Sequence, residues 1–169
     1  PMISYASTSP ALTNMSNHPH FYRVVPSDEL QGPAIMDTIN HRDSTLASPA
    51  LIHLTNDYGS GLAAAFENAW GSDNICTKIG YAQDTTDFTT AVQAVSDAGC
   101  DSAVLISYAA DGAAIVEQMN ASGVDIPIFG GDGVAEEGLC ASMSDQSLCA
   151  GIVATKPNAG AMNERMGAF

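Results

Sequence analysis

Three short segments rich in tyrosine, aspartate and glycine each follow an apolar stretch of this sequence. They are Asp57-Tyr58-Gly59 after residues 50–55, Ser107-Tyr108 after residues 103–106, and Gly130-Gly131-Asp132-Gly133 after residues 126–129. In an open α/β sheet, ligands bind in the crevice outside the carboxyl ends of the strands. Two tyrosines and an aspartate at one such edge predict a pocket for a small cation with an apolar body. A zwitterionic amino acid fits that description.

Each of these side chains also has a simpler interpretation. Asp132 in a glycine-lined turn lets a ligand approach the backbone, and its carboxylate would pair with an ammonium group. The same pattern is equally typical of an Asx-turn or a helix N-cap. Tyr58 and Tyr108 offer aromatic walls and hydroxyl groups, although tyrosines after strands commonly only pack.

A fourth candidate segment is the hydroxyl-rich run Ser7-Thr8-Ser9-Pro10 near the start of the sequence. The hydroxyls and backbone N–H groups of Ser7 and Thr8 could hold a carboxylate, and a plain turn is the alternative. The prediction of a binding site therefore depends on the coincidence of this run with the two tyrosines and Asp132.

An alternation of helical and strand patterns from residue 28 onward must position these segments. Ser27 is a good N-cap for a helix over 28–40, and Gly99 and Gly123 are typical helix ends. The strand patterns cover 50–55, 75–81, 103–107, 126–129 and 150–155, with helical patterns at 61–70, 87–98, 111–121 and 135–143. Strands separated by helices indicate an α/β fold, a doubly wound, five-stranded parallel sheet.

The composition excludes several classes of partner. The chain of 169 residues carries 19 acidic residues and 5 basic ones, for a net charge of -14. Nucleic acids and anionic membrane surfaces both require clustered cations, so neither is predicted as a partner. No apolar run approaches the length of about 18 residues that a membrane-spanning helix needs, so no direct membrane insertion is predicted.

The sequence predicts no metal and no cofactor. His18 and His20 lie close together but have no apparent third ligand. The run 59–64 matches the dinucleotide pattern G-x-G-x-x-A, but three residues separate it from the strand, and the carboxylate of Asp57 would repel a pyrophosphate. We find no nucleophile–base pair either, so an enzyme is not predicted.

Four cysteines leave the redox state open. Cys140 and Cys149 flank a polar segment and could close a small disulfide ring in an oxidising compartment. Cys76 and Cys100 both lie near strand starts, so a second bridge is conceivable. Four buried free thiols are the alternative.

An ordered set of segments resembles the periplasmic branched-chain amino-acid-binding proteins, which are type I solute-binding proteins of ABC importers. The segments are Met2 to Thr13, Arg23 to Asp28 with Gln31-Gly32, Asp57 to Leu62, Thr86-Asp87-Phe88, Phe129 to Gly133, and Thr155-Lys156-Pro157. The resemblance covers residues 1–157. It implies two lobes joined by a hinge, of which this chain is the central portion.

The resemblance implies a division of the chain and a role for each candidate residue. Residues 1–26 would end lobe 1, residues 27–155 would form lobe 2, and residues 156–169 would return toward lobe 1. Ser7 and Thr8 would meet the carboxylate of the ligand, Asp132 would bind its ammonium, and Tyr58 and Tyr108 would close over it.

The sequence thus predicts a periplasmic or otherwise extracytoplasmic protein that captures an amino acid, branched-chain or similar, by closure of two lobes. The membrane subunits of an ABC importer would be its partner. A ligand-sensing domain of a receptor, or of an amide-responsive regulator, is the alternative with the same fold. An enzyme of flavodoxin-like architecture is the alternative of a different class.

Overall fold

A five-stranded, fully parallel β-sheet forms the centre of the computed structural model, which describes residues 1–13 and 19–157. The strands are β3 (Pro49–Leu54), β4 (Thr77–Tyr81), β5 (Ser102–Ile106), β6 (Ile128–Gly130) and β7 (Val153–Ala154), in the order β4-β3-β5-β6-β7. The predicted α/β fold with a doubly wound parallel sheet is confirmed. The three segments with candidate residues therefore follow three adjacent strands, β3, β5 and β6.

Five α-helices connect the described strands. They are α1 (Asp28–Arg42), α2 (Asp57–Trp70), α3 (Thr89–Ala98), α4 (Ala109–Ala121) and α5 (Glu137–Ala141). The hydroxyl of Ser27 accepts a hydrogen bond from the backbone N–H of Glu29 and caps α1 as predicted. Gly99 ends α3 with φ of 67°, a left-handed conformation that glycine adopts without steric cost.

The two faces of the sheet carry separate apolar cores, because alternate side chains of a strand point to opposite faces. On one face α1 and α2 pack against Leu51, Val104 and Phe129. On the other face α3, α4 and α5 pack against Ile52, Leu105 and their neighbours. Strands β3 and β5 are buried along their whole length, as expected for central parallel strands.

Residues near the start of the chain form a small sheet of their own. Strands β1 (Met2–Ser4) and β2 (Phe21–Arg23) pair in parallel. The side chains of Met2, Ile3 and Tyr22 are exposed there. The assignment of residues 1–26 to a different lobe from residues 27–155 stays a prediction, and most of the segment 156–169 lies outside the described residues.

Helix α2 begins at Asp57, one turn earlier than the predicted start at residue 61. The cause is Asn56, whose side-chain oxygen accepts a hydrogen bond of 2.8 Å from the backbone N–H of Gly59. Asp57 and Tyr58 therefore belong to the first helical turn and not to a loop. Gly59 lies so close to β3 that a Cβ atom there would be 2.0 Å from the Leu54 carbonyl oxygen. Close packing of helix on strand explains this glycine.

Strand β7 is shorter than the predicted 150–155. A short 3₁₀ helix at Gln146–Cys149 precedes it, and Gly151 has φ of 93°, outside the range of an extended strand. The ladder to β6 therefore starts only at Val153. The backbone N–H of Thr155 still donates to the Gly130 carbonyl and holds the chain against the sheet edge.

All four cysteines are paired. Cys76 is bonded to Cys100, and Cys140 to Cys149, with Cα–Cα distances of 5.5 Å in each pair. The first bridge joins the segment before β4 to the end of α3, and the second joins α5 to the segment before β7. The alternative of four free thiols is wrong. Such bonds persist in oxidising environments.

The described residues contain no helix with the length and apolar character that crossing a membrane would require.

We predict that Gly59→Ala lowers the free energy of unfolding by about 3 kcal/mol, because the added methyl group forces α2 away from Leu54. Denaturant unfolding followed by circular dichroism measures this change. Ser60→Ala is the matched control, since Ser60 is the exposed next residue of the same helix. Equal stability of the two variants would contradict the close packing.

Candidate functional site

The Tyr58 hydroxyl joins two of the three candidate segments. It donates a hydrogen bond of 2.8 Å to Asp132 Oδ1 and accepts one of 3.0 Å from the backbone N–H of Gly133. Burial and the negative charge of Asp132 both hold the pKa of Tyr58 well above its usual range. The phenol therefore stays protonated and serves as donor to the carboxylate.

Tyr108 completes the convergence at the carboxyl edge of the sheet. Its ring stacks on the ring of Tyr58, with 5.4 Å between centroids and 16° between planes. The side-chain amide of Asn56 donates to its hydroxyl at 3.4 Å. Tyr108 is 47% exposed, so the stacked pair presents one aromatic face to solvent. The structure thus brings the two tyrosines and Asp132 into contact, and their role in binding a ligand stays a prediction.

The glycines around Asp132 leave room for the Tyr58 hydroxyl. A Cβ atom at Gly131 would lie 3.1 Å from that oxygen, and one at Gly133 would lie 3.0 Å from it. A Cβ atom at Gly133 would also be 2.4 Å from the Ser107 carbonyl oxygen. The glycines therefore allow this turn to pack closely against its neighbours, in addition to leaving its backbone open to a ligand. Among the described residues, Asp132 uses Oδ1 and not Oδ2 for its hydrogen bond.

Asp28 is a functional candidate that the sequence analysis missed. It is the first residue of α1 and is 0% exposed, and neither of its carboxylate oxygens has a hydrogen-bond partner. In the described part of the chain, Ser107 Oγ is the only other buried side-chain oxygen or nitrogen without a hydrogen-bond partner. A buried polar atom without a partner is rare and calls for an explanation.

The close approach of two helices buries Asp28. A Cβ atom at Gly32 of α1 would be 2.4 Å from the backbone of Ala65 in α2. One turn earlier on each helix, Asp28 faces Gly61, where a Cβ atom would lie 3.5 Å from Asp28 Oδ2. An aspartate in the first turn of a helix is so common that its type alone is no signal. The sequence offered one further signal, Gly32, which lies one turn further along α1 and allows α2 to approach closely.

The environment of Asp28 favours its protonated form. Burial raises the pKa of Asp28 from 3.8 to about 6, and the nearby Asp132 charge adds to the rise. The nearby hydroxyl of Thr8 and guanidinium of Arg23 act in the opposite direction, although neither meets Asp28 with the geometry of a hydrogen bond or an ion pair. Asp28 and Asp132 thus form a pair of neighbouring carboxyl groups in which one is buried and the other partly accessible.

Ser7 and Thr8 lie in the loop after β1, where the Thr8 carbonyl oxygen accepts a hydrogen bond of 3.0 Å from the backbone N–H of Asp28. The hydroxyl of Ser7 accepts a hydrogen bond of 2.6 Å from the Ser4 hydroxyl, and Thr8 is buried. The Arg23 guanidinium donates to the carbonyl oxygens of Thr8 and Ser9 at 3.1 and 2.8 Å and so holds the loop in place. Their predicted contact with the carboxylate of a ligand stays a prediction.

Gln31 links α1 to the segment after β7. Its side-chain amide donates to the carbonyl oxygen and the hydroxyl of Thr155, at 3.1 and 3.2 Å. Gly131 lies next to this amide, since a Cβ atom there would be 3.7 Å from Gln31 Nε2. This contact fixes the two ends of residues 27–155 relative to the turn that carries Asp132.

Two cavities of the described residues do not include Asp132, Tyr58 or Tyr108. One of about 610 Å³ opens at the amino-terminal edge of the sheet, between Arg42 and Ile152. The other, of about 410 Å³, lies between Pro10 and the side of α2 that carries Gly61. We assign the site by its chemistry and not by volume, because ligands of open α/β sheets bind at the carboxyl edge. Within residues 1–13 and 19–157, no group of three or more metal-ligating side chains is assembled.

Comparison with known proteins defines the class of the chain. The family described as the receptor family ligand binding region matches residues 1–129. Because the match covers more than half of the chain, the protein belongs to this family.

Three proteins are similar to this chain in sequence or in fold. The metabotropic glutamate receptor-like protein E of Dictyostelium discoideum is 33% identical over 87 residues, 52% of this chain and 10% of its own length. The leucine binding protein LivK of Thermotoga maritima superimposes with a TM-score of 0.76 at 22% identity, over 86% of this chain and 41% of its own. A protein of Rhodospirillum rubrum assigned to a branched-chain amino acid ABC transporter has a TM-score of 0.74 at 18% identity, over 90% and 43%.

The two solved structures share the fold of the chain. The chain spans only about a tenth of the length of the receptor-like relative and about two fifths of the two solved structures. Structural likeness at such low identity shows the fold alone. What the whole protein binds and which proteins it contacts are therefore proposals.

We predict that Tyr58→Phe lowers the free energy of unfolding by about 2 kcal/mol, since it removes the hydroxyl that bonds Asp132 and Gly133. Tyr108→Phe, the matched control, removes a more exposed hydroxyl with a single hydrogen bond of 3.4 Å and should cost less than about 0.5 kcal/mol. Thermal and denaturant unfolding measure both. A larger loss for Tyr108→Phe would contradict the anchoring role of Tyr58.

We predict that Asp28→Asn stabilises the protein at pH 7.5, by up to about 3 kcal/mol. Because the pKa of Asp28 rises on folding, from 3.8 to about 6, the folded state binds its proton more tightly. The stabilisation that this tighter proton binding gives the folded state is complete below about pH 4 and is lost as the pH rises through 6. The Asn variant lacks this loss, so the two proteins should diverge between about pH 4 and 6 and keep a constant difference in stability above that range.

Denaturant unfolding at pH 4, 5, 6 and 7.5 tests this prediction. Glu29→Gln is the control, because Glu29 is the exposed neighbour in the same helical turn. A variant Asp28→Asn that is less stable than the wild type at pH 7.5 would show that the carboxylate has a stabilising partner.

Proposed function

We propose that the protein binds an amino acid, branched-chain or similar, at the carboxyl edge of its sheet, with the ammonium of the ligand at Asp132. The single observation that carries this proposal is the assembly of Asp132, Tyr58 and Tyr108 from three separate strand ends into one contact group. Asp132 Oδ2 is available to a ligand, while Oδ1 is held in position by Tyr58.

The charges around the site support a cationic group in the ligand. Asp132 and Asp28 are both acidic, and the Arg23 guanidinium, which acts on Asp28, is engaged with backbone carbonyl oxygens. An ammonium group placed at Asp132 forms a charge-assisted hydrogen bond and offsets the negative charge of both carboxyl groups.

The aromatic pair supports an apolar body for the ligand. The half-exposed ring of Tyr108 and the stacked ring of Tyr58 form a flat wall beside Asp132. Such a wall also attracts a cation through the ring quadrupole. In this proposal, Ser7 and Thr8 approach the carboxylate of the ligand from the other lobe.

Binding would act by closing two lobes over the ligand. A ligand shifts a conformational equilibrium only by its differential affinity for the two states, and contacts from both lobes exist only in the closed state. No chemical step is proposed, since the family is one of ligand-binding regions.

Two biological roles fit this binding function. The likeness to LivK and to the Rhodospirillum rubrum protein supports capture of an amino acid for an ABC importer, with the importer membrane subunits as partner. The family and the receptor-like relative support a ligand-sensing domain of a receptor equally well. Two disulfides support an extracytoplasmic or periplasmic location for either role.

Fractionation of cells that produce the full-length protein separates the two roles. Release with the extracytoplasmic soluble fraction, together with loss of amino-acid uptake on deletion, supports importer capture. Retention in the membrane fraction together with a ligand-dependent signal supports the receptor.

We predict that Asp132→Ala lowers amino-acid affinity by about 100-fold or more, because it removes the charge that pairs with the ammonium. Isothermal titration of the full-length protein with leucine, isoleucine, valine and glutamate measures this. Asp125→Ala is the matched control, since Asp125 is an exposed aspartate before the opposite end of β6. Unchanged affinity in Asp132→Ala, or no binding of any amino acid by the wild type, would overturn the proposal.

A further inference from the structure

We propose that binding of the ligand ammonium at Asp132 releases a proton from the Asp28 carboxyl group, so that affinity is coupled to pH. This inference rests on the proposed function. Its structural basis is a carboxyl group that is 0% exposed, has no hydrogen-bond partner on either oxygen, and lies within electrostatic range of the candidate ligand contact.

The groups that face Asp28 come from four segments and account for its state before binding. Asp132 after β6 contributes a like charge, and the Arg23 guanidinium on β2 contributes the opposite charge. Thr8 in the loop after β1 contributes a hydroxyl, and Tyr58 on α2 contributes a phenol that stays neutral. Burial and the Asp132 charge together raise the pKa of Asp28 to about 6.

A ligand ammonium changes this balance without direct contact with Asp28. It adds a positive charge next to Asp132, and an opposite charge nearby favours the ionised form of a carboxyl group. The proton of Asp28 passes to solvent buffer, while the ammonium keeps its own protons. The total charge balances, because one neutral carboxyl group becomes one carboxylate and one released proton while the charge of the ammonium is unchanged.

The consequence for affinity follows from linkage. Near pH 6 about half of the protein carries the proton on Asp28, so binding should release up to about half a proton per ligand. Affinity should fall by up to about tenfold from pH 7 to pH 5, since the protonated form must first lose its proton. Leucine is the suitable probe, because neither its ammonium nor its side chain titrates in this range.

Isothermal titration of the full-length protein with L-leucine at pH 6, in buffers of different ionisation enthalpy, measures the released protons directly. The matched ligand control is L-2-hydroxyisocaproate, which has a hydroxyl in place of the ammonium and should release none. The matched protein variant is Asp28→Asn, which should show no release and an affinity that varies less than twofold between pH 5 and 7. Glu29→Gln should behave as the wild type.

The outcomes separate this inference from the function on which it rests. Leucine or glutamate binding without proton release, or release that persists in Asp28→Asn, overturns the inference and leaves the binding function standing. Absence of amino-acid binding at every pH overturns both. In the ligand-free protein, carboxyl carbon NMR should show one aspartate with a midpoint near 6 that disappears in Asp28→Asn, and no such aspartate would also overturn the inference.

Discussion

The hydrogen bond from the Tyr58 hydroxyl to Asp132 is the interaction on which the candidate site depends. Strands β3 and β6 are not neighbours, because β5 lies between them, so the segments that follow them are separated by about 10 Å. A tyrosine is long enough to span that gap and carries a donor at its tip. The glycines on both sides of Asp132 leave space for the hydroxyl, and Tyr108, which follows the intervening β5, stacks on the ring.

The buried carboxyl group of Asp28 reduces the stability of the folded protein at neutral pH. An unpartnered, desolvated acid lowers the free energy of unfolding at neutral pH, and folds tolerate such groups mainly at functional positions. Asp28 and Asp132 lie far apart in the sequence, which therefore gives no sign that they interact. In the folded protein, the charge of Asp132 raises the pKa of Asp28. The two carboxyl groups give the site an excess of negative charge, which a bound ammonium would reduce.

Much of the architecture was predictable because its signals are local. The helices α1 and α3 follow from apolar periodicity with Ser27 and Gly99 as end signals, and the buried β3 and β5 follow from continuous apolar runs. The start of α2 was predicted one turn late, since the capping role of Asn56 depends on a backbone geometry that periodicity does not describe. The length of β7 was predicted wrongly for a similar reason, the positive φ of Gly151.

The amino-acid pattern alone was enough to predict a parallel α/β sheet with Tyr58, Tyr108 and Asp132 at its carboxyl edge. The reason is that strand direction and side-chain alternation depend on local pattern, and parallel strands end on the same side. The two disulfide pairings and the burial of Asp28 became apparent only in the folded chain. Both depend on how closely distant elements approach, as α1 approaches α2 at Gly32 and Gly61, and no local pattern specifies that distance.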